Sequence, residues 1–403
     1  MKNEKIILFV LAMVQFTNVL DFVIVMPLNP ILSKLFVLTP QQFGVLVSSY
    51  TFSAGLSGFL SAFFADKFDR KLMLNVMYAG FTVGTLACAL SPSYEILLVA
   101  RSFTGIFGGV LAATVFSIVG DIIPLERRGA AMGIIMSSFA LATVVGVPFG
   151  LYLATKFTWA APFYFLVVMG VVITALIFFH VPSVTKHIQA QHATPAQVLT
   201  TIAQDTNQLK ALCFTFILFF SQFSVIPFLS DYMVSNIGLT QAQLPLIYLT
   251  GGGASIIVSP FIGKLVDRYG RFRIFSIFAV LIILPITIIT HAGQTPLYIT
   301  LLVTVIFFIF NSGRTIPAMT MTTSAVPQQT RGSFMSINSA VQNMSIALAA
   351  YIAGLIIYKD TTGTIFKYNY VGYLSIALNC VAIFIAMRIK AVDSTSESVK
   401  KDS

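Results

Sequence analysis

The sequence predicts an all-α membrane protein: twelve transmembrane helices in two pseudo-symmetric six-helix bundles. Three observations predict it: a run of apolar stretches each long enough to cross a bilayer, an internal duplication, and basic residues confined to alternate loops. Of the 403 residues, 57% are hydrophobic and only 9% charged, with a mean hydropathy of +0.89. Ordinary soluble domains carry about 25% charged residues, so a soluble globule is excluded. The net charge of +10 does not point to nucleic acid, because the basic residues lie in short loops, where they act as topology signals. Cys88, Cys213 and Cys380 sit inside apolar runs without metal or redox spacing and read as small core hydrophobes. The first apolar run, Ile6 to Leu28, is too long for a signal-peptide core and has no small-residue cleavage site after it, so it reads as the first span.

About 20 apolar residues cross a bilayer. On that rule the spans are 6–28, 43–64, 72–91, 95–119, 130–153, 161–181, 211–230, 243–263, 273–291, 297–321, 333–357 and 369–388. An even number places both termini on one side. That side carries Lys2, Lys5, Lys67, Arg70, Lys71, Arg127, Arg128, Lys186, Lys210, Lys264, Arg268, Arg271, Arg273, Arg331, Arg388, Lys390, Lys400 and Lys401. The other carries only Lys34, Lys156, Lys359 and Lys367. The excess makes the termini cytoplasmic and the protein an inner-membrane one. The domains are therefore residues 1–181, a first bundle; 182–210, a polar cytoplasmic linker with His187 and His192; 211–390, a second bundle; and 391–403, a disordered polar tail. Within the linker, Val198, Leu199 and Ile202 have the spacing of a short amphipathic helix on the membrane surface.

The duplication shows in two places. Gly58-Phe-Leu-Ser-Ala-Phe-Phe-Ala-Asp-Lys-Phe-Asp-Arg-Lys71 returns as Ser259-Pro-Phe-Ile-Gly-Lys-Leu-Val-Asp-Arg-Tyr-Gly-Arg271, each copy placing Arg four residues after Asp (Asp66 and Arg70; Asp267 and Arg271). Val119-Gly-Asp-Ile-Ile-Pro124 with Arg128-Gly129 is echoed by Thr322-Thr-Ser-Ala-Val-Pro327 with Arg331-Gly332. The offsets, 201 and 203 residues, are nearly equal. The first motif resembles the loop between the second and third helices of major facilitator superfamily transporters, roughly Gly-x-x-x-Asp-x-x-Gly-Arg-Arg/Lys. The first copy departs at Ala62 and Asp69, where glycines are usual; the second keeps Gly263, Asp267, Gly270 and Arg271. Asp66, Arg70 and Asp121 can form an ion-pair network at the inner ends of spans 2 and 4, and the resemblance implies that it stabilises the outward-facing state. Lys67, Arg70 and Lys71 also serve as topology signals.

Three ionised side chains fall within the hydrocarbon depth: Asp21, Arg101 and Arg314. Each costs about 2.5–3.5 kcal/mol or more at a helix centre, so each should face a cavity or a partner. Asp21 lies roughly 22 Å from the inner end of span 1, and Arg101 about 9 Å from the outer end of span 4, hence at similar depth. A pairing is geometrically open. Asn18, one turn before Asp21, extends a polar stripe. Asp21 reads as a proton carrier, its affinity set by burial against a nearby arginine, or else as one half of a structural ion pair. Arg314, with Asn311 one turn earlier and Pro317 after it, is about 20 Å from the cytoplasmic loop and reads either as an anion- or substrate-orienting group or as helix glue. Gln222 stands 201 residues after Asp21, so the second repeat has an amide in place of the acid. Asn338 and Gln342 on span 11 suggest an interhelical hydrogen bond.

The resemblance extends to further motifs. Leu20-Asp-Phe-Val-Ile-Val-Met-Pro-Leu-Asn-Pro30 is similar to the first-helix motif of drug/proton antiporters, and Arg101-Ser-Phe-Thr-Gly105 to the fourth-helix motif whose arginine is implicated in proton coupling. Gly146-Val-Pro-Phe-Gly150 resembles the fifth-helix antiporter motif, with Val147 separating a normally adjacent Gly-Pro; as physics, Gly146, Pro148 and Gly150 permit a bend and close helix approach. Gly313-Arg-Thr-Ile-Pro317 with Arg331-Gly-Ser-Phe-Met-Ser336 looks like the arabinose-efflux-permease-like branch. These resemblances imply proton-coupled efflux of a small amphipathic molecule or sugar by a monomer in a lipid bilayer. The alternative is proton-linked uptake of a small metabolite. A membrane enzyme or lipid-translocating protein is a third reading, disfavoured by the absence of clustered His, Asp or Ser. No nucleotide loop, catalytic triad, metal motif or cofactor motif is present.

Overall fold

The computed structural model describes residues 2–61, 63–64, 67–185, 195–327 and 330–392. Asp66, His187, His192 and residues 393–403 of the tail lie outside the described residues.

Among the described residues, twelve helices are long and apolar enough to cross a membrane, as the sequence predicts. In the first half they are α1 (Lys2–Ile24), α3 (Pro40–Ser61), α4 (Arg70–Ala89), α5 (Tyr94–Ile122), α6 (Leu125–Leu141) continued by α7 (Val147–Lys156), and α8 (Ala161–His180). In the second they are α10 (Thr206–Tyr232), α11 (Leu244–Tyr269), α12 (Arg271–Leu281) continued by α13 (Ile283–His291), α14 (Leu297–Ser324), α15 (Arg331–Ile356) and α16 (Tyr368–Ala386). The short α2 (Asn29–Leu35) follows α1, and α9 (Pro195–Gln204) lies in the linker.

Local chemistry sets the ends. Asp69, Ser93 and Asp205 each cap a helix by accepting a backbone N–H with the side chain. The first span stops at Ile24, short of the predicted Leu28, because Pro27 and Pro30 follow closely and cannot continue the ladder. Helix α11 runs on past the predicted 263, through Lys264, Asp267 and Arg268, until Gly270 at φ 89° breaks it. That left-handed backbone is open to glycine at no steric cost. Asp267 therefore sits in a helical last turn rather than in a loop.

The linker helix α9 does not lie free on a membrane surface: Ile202 is buried with Ala211, Ala325, Val326 and Phe334 against the second half. At the end away from the termini, β1 (Tyr358–Lys359) pairs antiparallel with β2 (Ile365–Phe366), Tyr358 opposite Phe366.

The bundles meet chiefly in the half away from the termini. There, the first bundle shares one apolar core with the second, including Ile24, Phe43 and Val147 with Phe228 and Ile247. Its termini-side half closes a separate core of its own around Val10, Leu111 and Ile177. Along the seam α3 lies so close to α15 that a Cβ on Gly44 would sit 2.6 Å from the Ala350 carbonyl oxygen, and one on Gly354 2.7 Å from that of Pro40. Across the other side of the seam Gly252 of α11 faces Val144 in the same way. On the termini side, Gly129 and Gly133 of the first bundle and Gly263 of the second have no atom within 4 Å of where a Cβ would stand.

Within the first bundle, a Cβ on Gly109 would run into the Ala54 carbonyl oxygen, and Gly58 approaches Gly109 from the same helix pair. Gly109→Val should therefore destabilise the protein by about 1–3 kcal/mol through overpacking. Gly133→Ala, inside α6 and free of such a neighbour, should instead stabilise it by about 0.5–1 kcal/mol through helix propensity. Thermal unfolding of both variants in detergent checks the contrast.

Candidate functional site

The buried charges of the first bundle come together. Asp21 sits in the last turn of α1 and Arg101 two turns into α5; Arg101 Nη1 is 2.6 Å from Asp21 Oδ2 and also donates to the Asp21 carbonyl at 3.2 Å. Thr85 of α4 donates to Asp21 Oδ1 at 3.2 Å. Their side chains are 0% and 1% exposed. The guanidinium lies 4.3 Å from the centre of the Tyr50 ring, an attractive placement over a π face. Tyr50 in turn donates to Asn18 Oδ1 at 3.0 Å, and Asn18 Nδ2 donates to the Gly108 carbonyl at 3.2 Å. Phe22 stacks on Tyr50 at 5.6 Å and meets Phe223 of the second bundle at 6.1 Å.

Two rings thus separate the ion pair from the opposite bundle. The carboxylate points neither to lipid nor to an open aqueous path. An acid lining a cavity, as a proton carrier would be while loading, is not what this conformer presents; the packing of Phe22 and Tyr50 seals it.

The second bundle is built differently. Gln222 occupies the place of Asp21 in the repeat, and its buried Oε1 has no hydrogen-bond partner. Thr304 stands 203 residues after Arg101, and the cation has moved ten residues along α14 to Arg314. Its Nη1 donates to Asn379 Oδ1 at 2.8 Å and Ser221 Oγ at 3.3 Å, while Nε and Nη2 donate to Asn311 Oδ1 at 3.4 and 3.2 Å. Every one of these partners is neutral. Arg314 is 1% exposed, and among the described residues it forms no ion pair. Among the described residues it is a buried cation without a counter-ion, an uncompensated charge inside the protein. Asn338 accepts from Thr215 at 2.8 Å, linking α15 to α10.

Gly146 closes a π-helical turn, Ala142–Gly146, and Pro148 stands near the start of α7. Cβ atoms on Gly146 and Gly150 would press on Leu20 and Ile24, at 2.9 and 2.7 Å. The motif interrupts the regular α-helical ladder of the span and packs closely on the end of α1 that carries Asp21.

At the termini end, Arg70 Nε is 3.1 Å from Asp121 Oδ2. Both partners belong to one bundle, so a rocking of bundles need not part them. Lys71 is directed elsewhere, its ammonium 5.4 Å from the Phe178 ring centre. Asp69, the departure from the family pattern, accepts from the Lys71 and Val184 amides at 3.0 and 2.8 Å and from Ser183 Oγ at 2.7 Å. It fastens the turn before α4 to the end of α8. The second copy of the motif has no such network: Asp267 and Arg271 are exposed and form no ion pair among the described residues.

Sequence reading missed one buried pair. Lys359 Nζ lies 2.9 and 3.0 Å from the two carboxylate oxygens of Asp231, whose side chain is 5% exposed. The predicted span ended at 230; α10 runs on through Asp231 to Tyr232 and into the π-helical turn Met233–Ile237, with the acid buried in its last turn. No group of three His, Cys, Asp or Glu among the described residues could hold a metal.

Two repeated six-helix bundles enclosing buried charges define a membrane-embedded transporter of small molecules. The chain belongs to the Major Facilitator Superfamily, whose family profile matches residues 11–210 and again 211–403. It is 25% identical over 372 residues to the uncharacterised MFS-type transporter YwfA of Bacillus subtilis strain 168, covering 90% of this chain and 85% of that one. It is 33% identical over 174 residues to the efflux pump dotC of Dothistroma septosporum, 43% of this chain and 30% of that one. A solved D-xylose–proton symporter superposes with a TM-score of 0.77 at 15% identity, over 97% of this chain and 98% of the other.

Removing one partner of a buried pair leaves an uncompensated charge. Asp21→Ala should lower stability by about 3–5 kcal/mol, against about 0–1 kcal/mol for Asp121→Ala near the surface, as read by thermal unfolding. For Asp69, partial burial pushes the carboxyl up, but hydrogen bonds from Ser183, Val184 and Lys71 and the charge of Lys71 outweigh it and hold the group below its ordinary value. A depressed carboxylate stabilises the fold above the ordinary value and loses that contribution as pH falls through its own lower one. Hydrogen exchange at the Val184 amide should therefore stay protected through the ordinary carboxylate range and open only at more acidic pH; Asp69→Ala should expose it at neutral pH.

Proposed function

We propose that the protein is a proton-coupled exporter of a small molecule, of the drug/proton-antiporter, arabinose-efflux-permease-like type, working by alternating access with both termini in the cytoplasm. The observation that carries this reading is the Asp21–Arg101 pair, sealed behind the Phe22–Tyr50 layer at the seam between bundles. With the termini inside, the closed half of the seam is the outer one and the conformer is inward-facing. When the bundles rock, Phe223 withdraws from Phe22, and Phe22 and Tyr50 can shift enough to admit water. A proton then adds to Asp21 Oδ2, neutralises the carboxylate and releases Arg101, whose guanidinium keeps its place over Tyr50 and can hydrogen-bond to Thr104 or to water. Return of the layer restores the pair and expels the proton, because an ionised carboxylate beside a buried guanidinium is favoured over a neutral acid leaving that cation alone.

Arg314 supports a second role, orienting the solute. Its unbalanced charge favours a negatively charged or strongly electron-rich group, and Asn311, Ser221 and Asn379 offer the neighbouring hydrogen bonds. The motif resemblances at Leu20–Pro30, Arg101–Gly105 and Gly146–Gly150 favour export.

Reconstitution into vesicles with an imposed pH gradient tests the reading. Asp21→Asn should lose gradient-driven transport by about a hundredfold, in the range of other lost proton-transfer groups, while keeping gradient-free exchange of solute. Undiminished gradient-driven transport in that variant excludes Asp21 as the carrier, and the direction of net flux decides between export and uptake.

A further inference from the structure

A lipid-facing groove on the first bundle has the shape and chemistry of a phospholipid seat. It runs between α4 and α8 from the termini end inward, with a volume of about 760 Å³. Its walls are Leu72, Val76 and Ala79 from α4 and Ala175 and Phe178 from α8. Leu72, Val76 and Phe178 are all more than half exposed, so in a membrane this face meets acyl chains. Small side chains at Ala79 and Ala175 hollow out the floor.

The polar groups are ordered by depth. Lys71 stands at the mouth, its ammonium steadied over the Phe178 ring at 5.4 Å. Asn75 lines the groove one turn deeper, about 6 Å along the axis, and an apolar stretch follows. That order matches a phospholipid from phosphate to ester to chain. The carboxylate at the mouth, Asp69, keeps its charge, but the hydrogen bonds it accepts from Lys71 N, Val184 N and Ser183 Oγ tie its oxygens toward the end of α8.

We propose that this groove binds one anionic phospholipid, its phosphate at Lys71, an ester carbonyl at the Asn75 amide and one acyl chain along α4 and α8. The seat adjoins the Asp69 clamp that ties α4 to α8, so an occupied groove would brace that helix pair. The proposal stands apart from the transported solute, and its failure leaves the transport reading untouched.

Native mass spectrometry and thermal unfolding of the full-length protein, titrated with phosphatidylglycerol or phosphatidylcholine, test it. Wild type should retain one phosphatidylglycerol about fivefold more tightly than phosphatidylcholine, the effect of one basic residue at a membrane surface. Lys71→Gln should erase that preference, each variant being compared with its own lipid-free unfolding temperature, and Ala175→Phe should weaken retention of both lipids by filling the groove. Equal retention of the two lipids by wild type, an unaltered preference in Lys71→Gln, or equal competition by chain-free glycerol phosphate would overturn the proposal.

Discussion

Charge buried in hydrocarbon must be answered by something, and that constraint organises this protein. In the first bundle the answer is internal. Arg101 reaches across from α5 to Asp21 on α1, Thr85 on α4 supplies a further hydrogen bond, and Tyr50 on α3 covers the guanidinium face. Four helices are thereby fixed around a single neutral pair, and the glycines of α5 let α3 close on it. In the second bundle the corresponding positions carry Gln222 and Thr304, and the cation reappears at Arg314 among amides and hydroxyls. The duplicated fold has kept its packing and divided its electrostatics, one half balanced and the other carrying excess positive charge.

The seam between the halves follows from packing more than from charge. Glycine-to-carbonyl contacts between α3 and α15, and the Val144–Gly252 contact between the π-helical turn of span 5 and α11, bring backbones close in the half away from the termini. Asn29 adds a hydrogen bond to the Pro227 carbonyl across the same seam. In a membrane, where apolar burial between helices gains little over lipid, such close backbone approach is the main source of association. A seam of this kind can part without leaving buried charges unmatched, because each bundle keeps its own polar interior intact.

Much of this was legible in the sequence. The twelve spans follow from apolar run length, the two bundles from motifs recurring at nearly constant offset, and the common depth of Asp21 and Arg101 from helical rise alone. What escaped depends on contacts that no run length encodes. Thr85 and Tyr50 look like ordinary residues of apolar helices until α4 and α3 bring them to the pair. Asp231 lay one residue beyond a hydropathy boundary, and only the packing around the last turn of α10 shows that it is interior. Asp69 read as a flaw in a family motif, whereas its carboxylate builds a capping and clamping contact that glycine could not make. The second motif copy, closer to the family pattern in sequence, makes no ion pair among the described residues: α11 continues as a helix to Gly270, and Asp267 and Arg271 stand in the open.

The fastening of α10 has a mechanical consequence. At its start Asn207 hydrogen-bonds to the carbonyls of Ala325 and Lys390, and at its finish Asp231 holds Lys359 while Asn236 bonds the backbone of Ile365. A rod pinned at both extremities to segments of its own bundle cannot swing separately from them. Force applied at Phe223, midway along it, is therefore passed to the segments that hold its two ends, and the second half of the molecule responds to the first as a stiff lever.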